Sequence, residues 1–179
     1  MELQRVNEVL EQLSITDGLT RLHNHRFFQE FLTKQVKRAD RTQEPLALIL
    51  IDIDHFKRWN DRLGHSGGDE ILRRVAEVMN SVIRGTDLLA RYGGEEFALL
   101  AGNTELDGAV QLAEKIRSEI ACTTFTIDPP SERDQVTVSI GVAAYQGDRK
   151  ALFDAADRAL YRAKAAGRDC VMTAEHEES

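Results

Sequence analysis

A chain of 179 residues with a formal net charge of −7 is long enough for one domain with a real core, and it has no global basic field to draw in a nucleic acid polymer. No apolar run reaches the ~18 residues of a membrane segment, and the polar, helix-patterned N-terminus is not a signal peptide. The two cysteines, Cys122 and Cys170, are few and unpatterned, which is the usage of a reducing, cytoplasmic setting.

Residues 1–14 read as a separate helical unit. Leu3, Val6, Leu10 and Leu13 repeat at three, four, three, the seam of a heptad. The segment is too short to be a stable helix alone. It is read as the stub of a longer coiled coil; a helix packed on its own domain is the alternative. Asn24 then caps a helix with Phe27, Phe28, Phe31, Leu32 and Val36 on one face. Leu46–Ile51 is a continuous apolar run, which suits a strand covered on both faces, and it stops at Asp52-Ile53-Asp54. A short helix over about 55–63 follows, and Ser66 is expected to open a long one with Ile71, Leu72, Val75, Val78, Met79, Val82 and Ile83 inward.

A hairpin is predicted over roughly 87–101, because Gly93-Gly94 lies between apolar runs and glycine reaches positive φ at little cost. The helix over about 105–121 buries Ala109, Leu112, Ala113, Ile116 and Ile120. Pro129-Pro130 marks a loop. Val136, Val138, Ile140 and Val142 alternate with Thr137, Ser139 and Gly141, which predicts a half-buried strand. An alanine-rich helix over about 150–166 ends at Gly167. A hairpin with alternating helices predicts a mixed α/β fold whose largely antiparallel sheet is flanked by helices. There is no internal repeat and no low-complexity segment.

Two features carry chemistry. Asp52 ends a buried strand, and Glu95 and Glu96 follow two glycines in a hairpin turn. Carboxylates at the ends of neighbouring strands can hold a hard divalent cation next to phosphate, and glycines let a bulky ligand lie against the backbone. Neither a Walker A sequence nor Gly-x-Gly-x-x-Gly is present, so phosphate must be met by other groups.

Gly93-Gly94-Glu95-Glu96-Phe97 resembles the signature of the GGDEF domains, the diguanylate cyclases, in its Gly-Gly-Glu-Glu-Phe variant. The resemblance runs from about Thr16 to Val171. It includes Asp17-Gly18-Leu19-Thr20, Asn24-His25-Arg26, Asp52-Ile53-Asp54-His55-Phe56-Lys57, Asn60-Asp61, Gly64-His65-Ser66-Gly67-Gly68-Asp69, Arg91-Tyr92, Ser139-Ile140-Gly141-Val142-Ala143, Ala156-Asp157, Tyr161, Lys164, Gly167 and Arg168. Arg21 stands where many relatives have glycine, and Asp169 where asparagine is usual.

The resemblance implies a palm-like, ferredoxin-related sheet, as in nucleotide cyclases, for residues 15–173, with a tail at 174–179. It implies condensation of two GTP into cyclic di-GMP and two pyrophosphates by a homodimer of half-sites. Two Mg²⁺ or Mn²⁺ ions per active site fall to Asp52, the Ile53 carbonyl and Glu95, with Glu95 also the base for the ribose hydroxyl. Lys57 steadies transition-state charge. Glu96 is grouped with these catalytic residues; for it and Asp54, support of a ligand and coordination through water both stay open.

Gly93 and Gly94 leave room for substrate, with Phe56 beside it, and Lys164 and Arg168 meet the triphosphate. Those two cations also suit a helix C-terminus, a purely structural role. Asn60 and Asp69 are assigned to guanine: a carboxylate accepts from N1–H and N2–H, and adenine has no donor at N1. Asp69 equally suits a helix start. Arg84-Gly85-Thr86-Asp87 resembles the inhibitory product site, with Arg117 as a second arginine; a plain helix-to-strand turn is the alternative. Upstream, the resemblance implies a sensor or receiver domain. The competing functions are a catalytically silent cyclic di-GMP receptor and a cyclase making a mixed dinucleotide.

Overall fold

The computed structural model describes residues 1–126 and 134–174. The expected loop at Pro129-Pro130, the tail after Ala174 and the side chain of Leu13 lie outside the described residues.

Among the described residues ten elements follow one another: α1 (Glu2–Leu13), α2 (His25–Thr42), β1 (Leu46–Ile53), α3 (Phe56–Val82), β2 (Leu88–Arg91), β3 (Glu96–Gly102), α4 (Leu106–Cys122), β4 (Val138–Ala144), α5 (Arg149–Ala165) and β5 (Val171–Thr173). The strands form one sheet in the order β2-β3-β1-β4-β5. All neighbours are antiparallel except β4 and β5. The expected mixed, largely antiparallel sheet flanked by helices is what forms.

β1 is central and every residue in it is buried. Its side chains alternate between two cores. Ala47, Ile49, Ile51 and Ile53 join the cluster built with α3 and α4. Leu46, Leu48 and Leu50 join the cluster built with α2 and α5. By the same alternation Asp52 continues the α2–α5 side, at the end of the strand where the apolar packing stops.

Three expectations need correction. β4 is buried on both faces, because α5 closes the side that Ser139 and Gly141 present. A Cβ at Gly141 would lie 2.3 Å from the Ala156 carbonyl oxygen and 2.3 Å from the Leu160 nitrogen, so glycine allows α5 to sit directly on the strand. Polar and small residues there look like a solvent face in sequence but are a close-packing face. Val136 is buried but precedes the strand.

The expected helix start at Ser66 is displaced. The helical segment runs Phe56–Val82 with its one non-helical residue at Gly64, φ 72° and ψ 177°. Ser66 is exposed and makes no capping hydrogen bond among the described residues. Glycine at 64, with positive φ, supplies the break that divides the two helical stretches.

The hairpin turn is also built differently. Neither Gly93 nor Gly94 has positive φ. Tyr92 to Glu95 make a four-residue connection, in which the amides of Tyr92 and Gly93 donate to the Glu96 carbonyl at 2.8 and 3.1 Å. Such a connection does not require the left-handed pair of a two-residue turn.

At the N-terminus α1 has Leu3, Val6 and Leu10 at 80, 52 and 58% exposure. Those three members of the expected seam therefore find no cover on their own domain. α2 is capped as expected, with the Asn24 side chain accepting from the Phe27 amide.

Candidate active site

The chemistry-bearing residues gather where β1 ends, between the β2–β3 turn on one side and the β4 and α5–β5 segments on the other. β1 and β3 pair so that Asp52 faces Glu96. The Ile53 amide donates to the Glu95 carbonyl at 3.2 Å, which carries the ladder one residue past β3. Asp52, the Ile53 backbone and Glu95 are thus brought together by strand register alone.

Asp52 is buried and ion-paired with the Lys164 ammonium of α5. Burial, chiefly, and the neighbouring Asp54 push its carboxyl above the usual range, against the pull of Lys164 and Arg168. Glu95 is shifted the same way by burial, Asp52 and Glu96, with Lys164 opposing. Two neighbouring carboxylates whose charges disfavour each other are the electrostatic condition that a cation relieves.

Among the described residues no cluster of three or more acidic, histidine or cysteine side chains is placed to enclose a metal. Two carboxylates and a carbonyl do fit an ion that completes its shell with water and substrate phosphate oxygens, the usual habit of magnesium.

Asp54, two residues beyond Asp52, is different. Its Oδ1 accepts from Ser139 Oγ at 2.6 Å, and its Oδ2 from Thr137 Oγ1 at 2.8 Å and the Asp169 amide at 3.0 Å. This carboxylate ties β1 to β4 and to the turn after α5. Thr137 and Ser139 hold it, a role that sequence reading missed. The missed signal is the pair of hydroxyl residues two apart on the neighbouring strand.

That turn carries Gly167, Arg168 and Asp169 at φ 111°, 66° and 45°. Arg168 is exposed, and Lys164 lies one turn earlier on the helix that bears it. Arg117 is not engaged with the Arg84–Asp87 segment in this structure. Its guanidinium donates to Asp169 at 2.8 Å and to Glu114 at 2.9 Å, so it buttresses the α5–β5 turn. Asp169 is therefore paired with Arg117.

The glycine turn is open. A Cβ at Gly94 would meet nothing within 4 Å, whereas one at Gly93 would lie 2.8 Å from Glu96 Oε2. Gly94 leaves space above the backbone, and Gly93 lets Glu96 fold back over the turn. Two side chains brace this hairpin. Arg91 donates to the Gly94 carbonyl and pairs with Asp17. Tyr92 accepts from Gln29 at 3.0 Å and packs its ring against His25, Phe28 and Phe153.

On α3, Phe56 is buried, Lys57 exposed, and Asn60 and Asp69 half-buried. A Cβ at Gly68 would lie 1.8 Å from Asn60 Oδ1 and 3.2 Å from Phe56 Cζ. The glycine thus gives Asn60 its place across the Gly64 break, bringing it beside the helical turn that carries Asp69. Lys57 makes no ion pair among the described residues.

Arg84 and Asp87 are adjacent in the turn before β2. The Arg84 amide donates to Asp87 Oδ2 at 2.9 Å, while the Arg84 side chain is 63% exposed. Asp87 Oδ1 is buried with no hydrogen-bond partner among the described residues.

The sequence matches the diguanylate cyclase GGDEF domain over residues 14–170. The chain belongs to the GGDEF family. It is 44% identical over 164 residues to the response regulator PleD of Caulobacter vibrioides, covering 90% of this chain and 36% of that protein. Relatives named as diguanylate cyclases include DgcM of Escherichia coli, 41% identical over 175 residues, 97% of this chain and 42% of that protein. The chain thus spans well under half the length of these curated relatives.

Among solved structures it resembles the GGDEF domain of DgcB from Caulobacter crescentus in complex with c-di-GMP. The TM-score is 0.85 at 35% identity, covering 90% of this chain and 93% of that one. No helix among the described residues is long and apolar enough to cross a membrane.

Proposed function

We propose that this GGDEF domain is a diguanylate cyclase that condenses two GTP into cyclic di-GMP with release of two pyrophosphates. The observation that carries the reading is the meeting of Asp52 and Glu95 at the ends of neighbouring strands, beside Lys164 and below an open glycine turn. Divalent cations, Mg²⁺ or Mn²⁺, two per active site and held by Asp52, the Ile53 carbonyl and Glu95, would supply electrostatic stabilisation to the reacting phosphate.

In each half-reaction Glu95 takes the proton of a ribose 3′-hydroxyl. That oxygen bonds to the α-phosphorus of the second GTP as the bond to pyrophosphate breaks. Lys57, Lys164 and Arg168 bind phosphate charge, and Glu96 assists at the turn. Asn60 and Asp69 receive the guanine edge, with Phe56 close to the same Gly68 as Asn60 and Gly93 and Gly94 clearing room. Positioning and fixed charge contribute most of the rate under this reading.

One chain offers one such site, so two chains must face each other. The uncovered Leu3, Val6 and Leu10 stripe supports an α1 that continues a coiled coil from an upstream sensor or receiver domain and raises the local concentration of partner. Residues 15–173 then form the cyclase domain, and the setting is cytoplasmic. A Gly-Gly-Glu-Glu-Phe turn also occurs in a Vibrio cholerae diguanylate cyclase whose structure is described as an active GGEEF domain. That domain is 35% identical with a TM-score of 0.79, covering 86% of this chain and 98% of that one.

Product inhibition through Arg84 and Asp87 is part of the reading. An exposed guanidinium beside a buried acceptor without a partner suits a ligand offering both phosphate and N–H donors. The test is incubation with GTP and Mg²⁺, alone and together with ATP, with products identified by mass. Cyclic di-GMP with two pyrophosphates supports the reading. A mixed product from GTP and ATP, or binding of cyclic di-GMP without synthesis, replaces it.

A further inference from the structure

Arg91 ends β2 and makes a fork that the proposed chemistry does not use. Its Nε and Nη2 donate to the Gly94 carbonyl at 3.2 and 2.8 Å. Its Nη1 donates to both Asp17 carboxylate oxygens, at 3.3 and 3.4 Å. The carbonyl it holds belongs to the peptide that joins Gly94 to Glu95. Gly94 has no side chain and open space above it, and this fork supplies the side-chain hydrogen bonds to that carbonyl among the described residues.

Asp17 is itself fixed. Its Oδ2 accepts from the Thr20 amide at 2.8 Å and from the Thr20 hydroxyl at 2.7 Å, and its amide donates to the Leu22 carbonyl at 2.8 Å. Burial works against its charge, yet the Thr20 hydrogen bonds and Arg91 hold its carboxyl below the usual range. The segment that carries Asp17 leaves α1 directly. Asn24 donates through its side chain to the Ser14 carbonyl at 2.8 Å and through its amide to the Ile15 carbonyl at 2.9 Å. The Arg91 amide completes the contact by donating to the His23 carbonyl at 2.9 Å. Hydrogen bonds and the short stretches of backbone between them therefore connect the end of α1, through the 14–24 segment, Asp17 and Arg91, to the peptide of Glu95.

We infer that Arg91 is a positioning residue for Glu95, and that Asp17 makes the segment leaving α1 a structural part of the catalytic turn. This rests on the reading of Glu95 as the base and cation-binding acid. A guanidinium can grip one carbonyl with two N–H groups while facing a carboxylate with a third. An ammonium of similar reach has no rigid fork and cannot keep both contacts in that geometry. Small displacements of a reacting group are costly: about 1 Å lowers rates by roughly 10²-fold.

The experiment compares the parent with Arg91→Lys, Arg91→Ala and Asp17→Asn in the full chain. Steady-state kinetics, Mn²⁺ dependence and ¹⁵N relaxation of the Gly94 and Glu95 amides are recorded for each. Arg91→Lys is expected to lower kcat by roughly 10- to 100-fold while the KM for GTP stays within about twofold, since removing a positioning contact spares uniform binding. Half-maximal activity should need more Mn²⁺, and the two amides should lose order. Asp17→Asn, which keeps an acceptor but not the charge, should fall between Arg91→Lys and the parent.

Folded Arg91→Lys protein with parental kcat, Mn²⁺ dependence and amide order overturns the inference, as does a loss confined to thermal stability. Should Arg91→Ala fail to fold, Arg91→Lys and Asp17→Asn decide the matter. If the parent makes no cyclic di-GMP, the functional reading fails by itself. Amide order at Gly94 and Glu95 in Arg91→Lys then decides the positioning claim, upheld by a loss and overturned by no change.

Discussion

The two sides of the β1 end are built from the same residue types and treat charge in opposite ways. On the β4 side, Asp54 is fully engaged by Ser139, Thr137 and the Asp169 amide. On the β3 side, Asp52 has one lysine, Glu95 has no hydrogen bond or ion pair from its carboxylate among the described residues, and both carboxyls are pushed upward, chiefly by burial, with Asp54 adding to the rise at Asp52 and Asp52 and Glu96 adding to it at Glu95. Acid on the satisfied side joins strands. Acid on the unsatisfied side is held in a costly state that a cation would relieve. Clustered acids whose carboxyls are raised by burial and by like charge are a common mark of a functional site.

The sharpest way to break this contrast is to exchange one carboxylate for its amide on each side. Glu95→Gln keeps the shape and removes the base, so cyclic di-GMP synthesis should fall by about 10²- to 10⁴-fold with the circular dichroism spectrum unchanged. Near-parental turnover would take Glu95 out of the chemistry.

Asp54→Asn should do the reverse. An amide cannot accept all three hydrogen bonds as the carboxylate does, and one of its donors would face a hydroxyl or the Asp169 amide. Unfolding free energy should drop by roughly 1–3 kcal/mol in urea titration, with substantial turnover left in the folded fraction. Unchanged stability would mean that water replaces the network at no cost.

Smaller effects sharpen the picture. Asp69→Ser should relax discrimination against ATP in competition assays by about tenfold, because the acid that adenine leaves unpaired is gone. An unchanged preference would place guanine reading elsewhere. Cation affinity, followed through Mn²⁺-dependent activity, should keep rising with pH above the range in which ordinary carboxylates titrate. Protons compete for Asp52 and Glu95 up to a higher pH than for ordinary carboxylates. A flat response would mean that these acids are not the ligands.

Much of this was legible in the chain, and the parts that were not have physical reasons. β1 declared itself because a strand covered on both faces needs an unbroken apolar run. β4 was misread as half-exposed, because Ser139 and Gly141 serve a hydrogen bond and a close helix contact, and neither leaves an apolar signature. The glycine turn was placed correctly, but its conformation was not: Gly93 and Gly94 are needed for space and not for positive φ. The break between the two helical stretches falls at Gly64, two residues before the Ser66 at which the sequence opens the long helix. Residues tied by register, such as Asp52 and Glu95, could be paired from motif order. Long-range side-chain pairings, such as Arg117 with Asp169 and Arg91 with Asp17, have no local period and needed the fold.

The contrast between the two sides is tested most directly by thermal unfolding of Glu95→Gln and the parent without divalent metal, across pH. Because the Glu95 carboxyl is raised in the folded state, the folded chain binds more protons than the unfolded chain above the ordinary glutamate value of about 4.3. Its ionisation therefore costs stability as pH rises, up to the raised folded value and no further. At pH 7.5 the Glu95→Gln protein should melt above the parent, and the gap should close near pH 4. A Glu95→Gln protein that melts below the parent at pH 7.5 would contradict the account, since the β3-side acid would then be stabilising the fold it is held to strain.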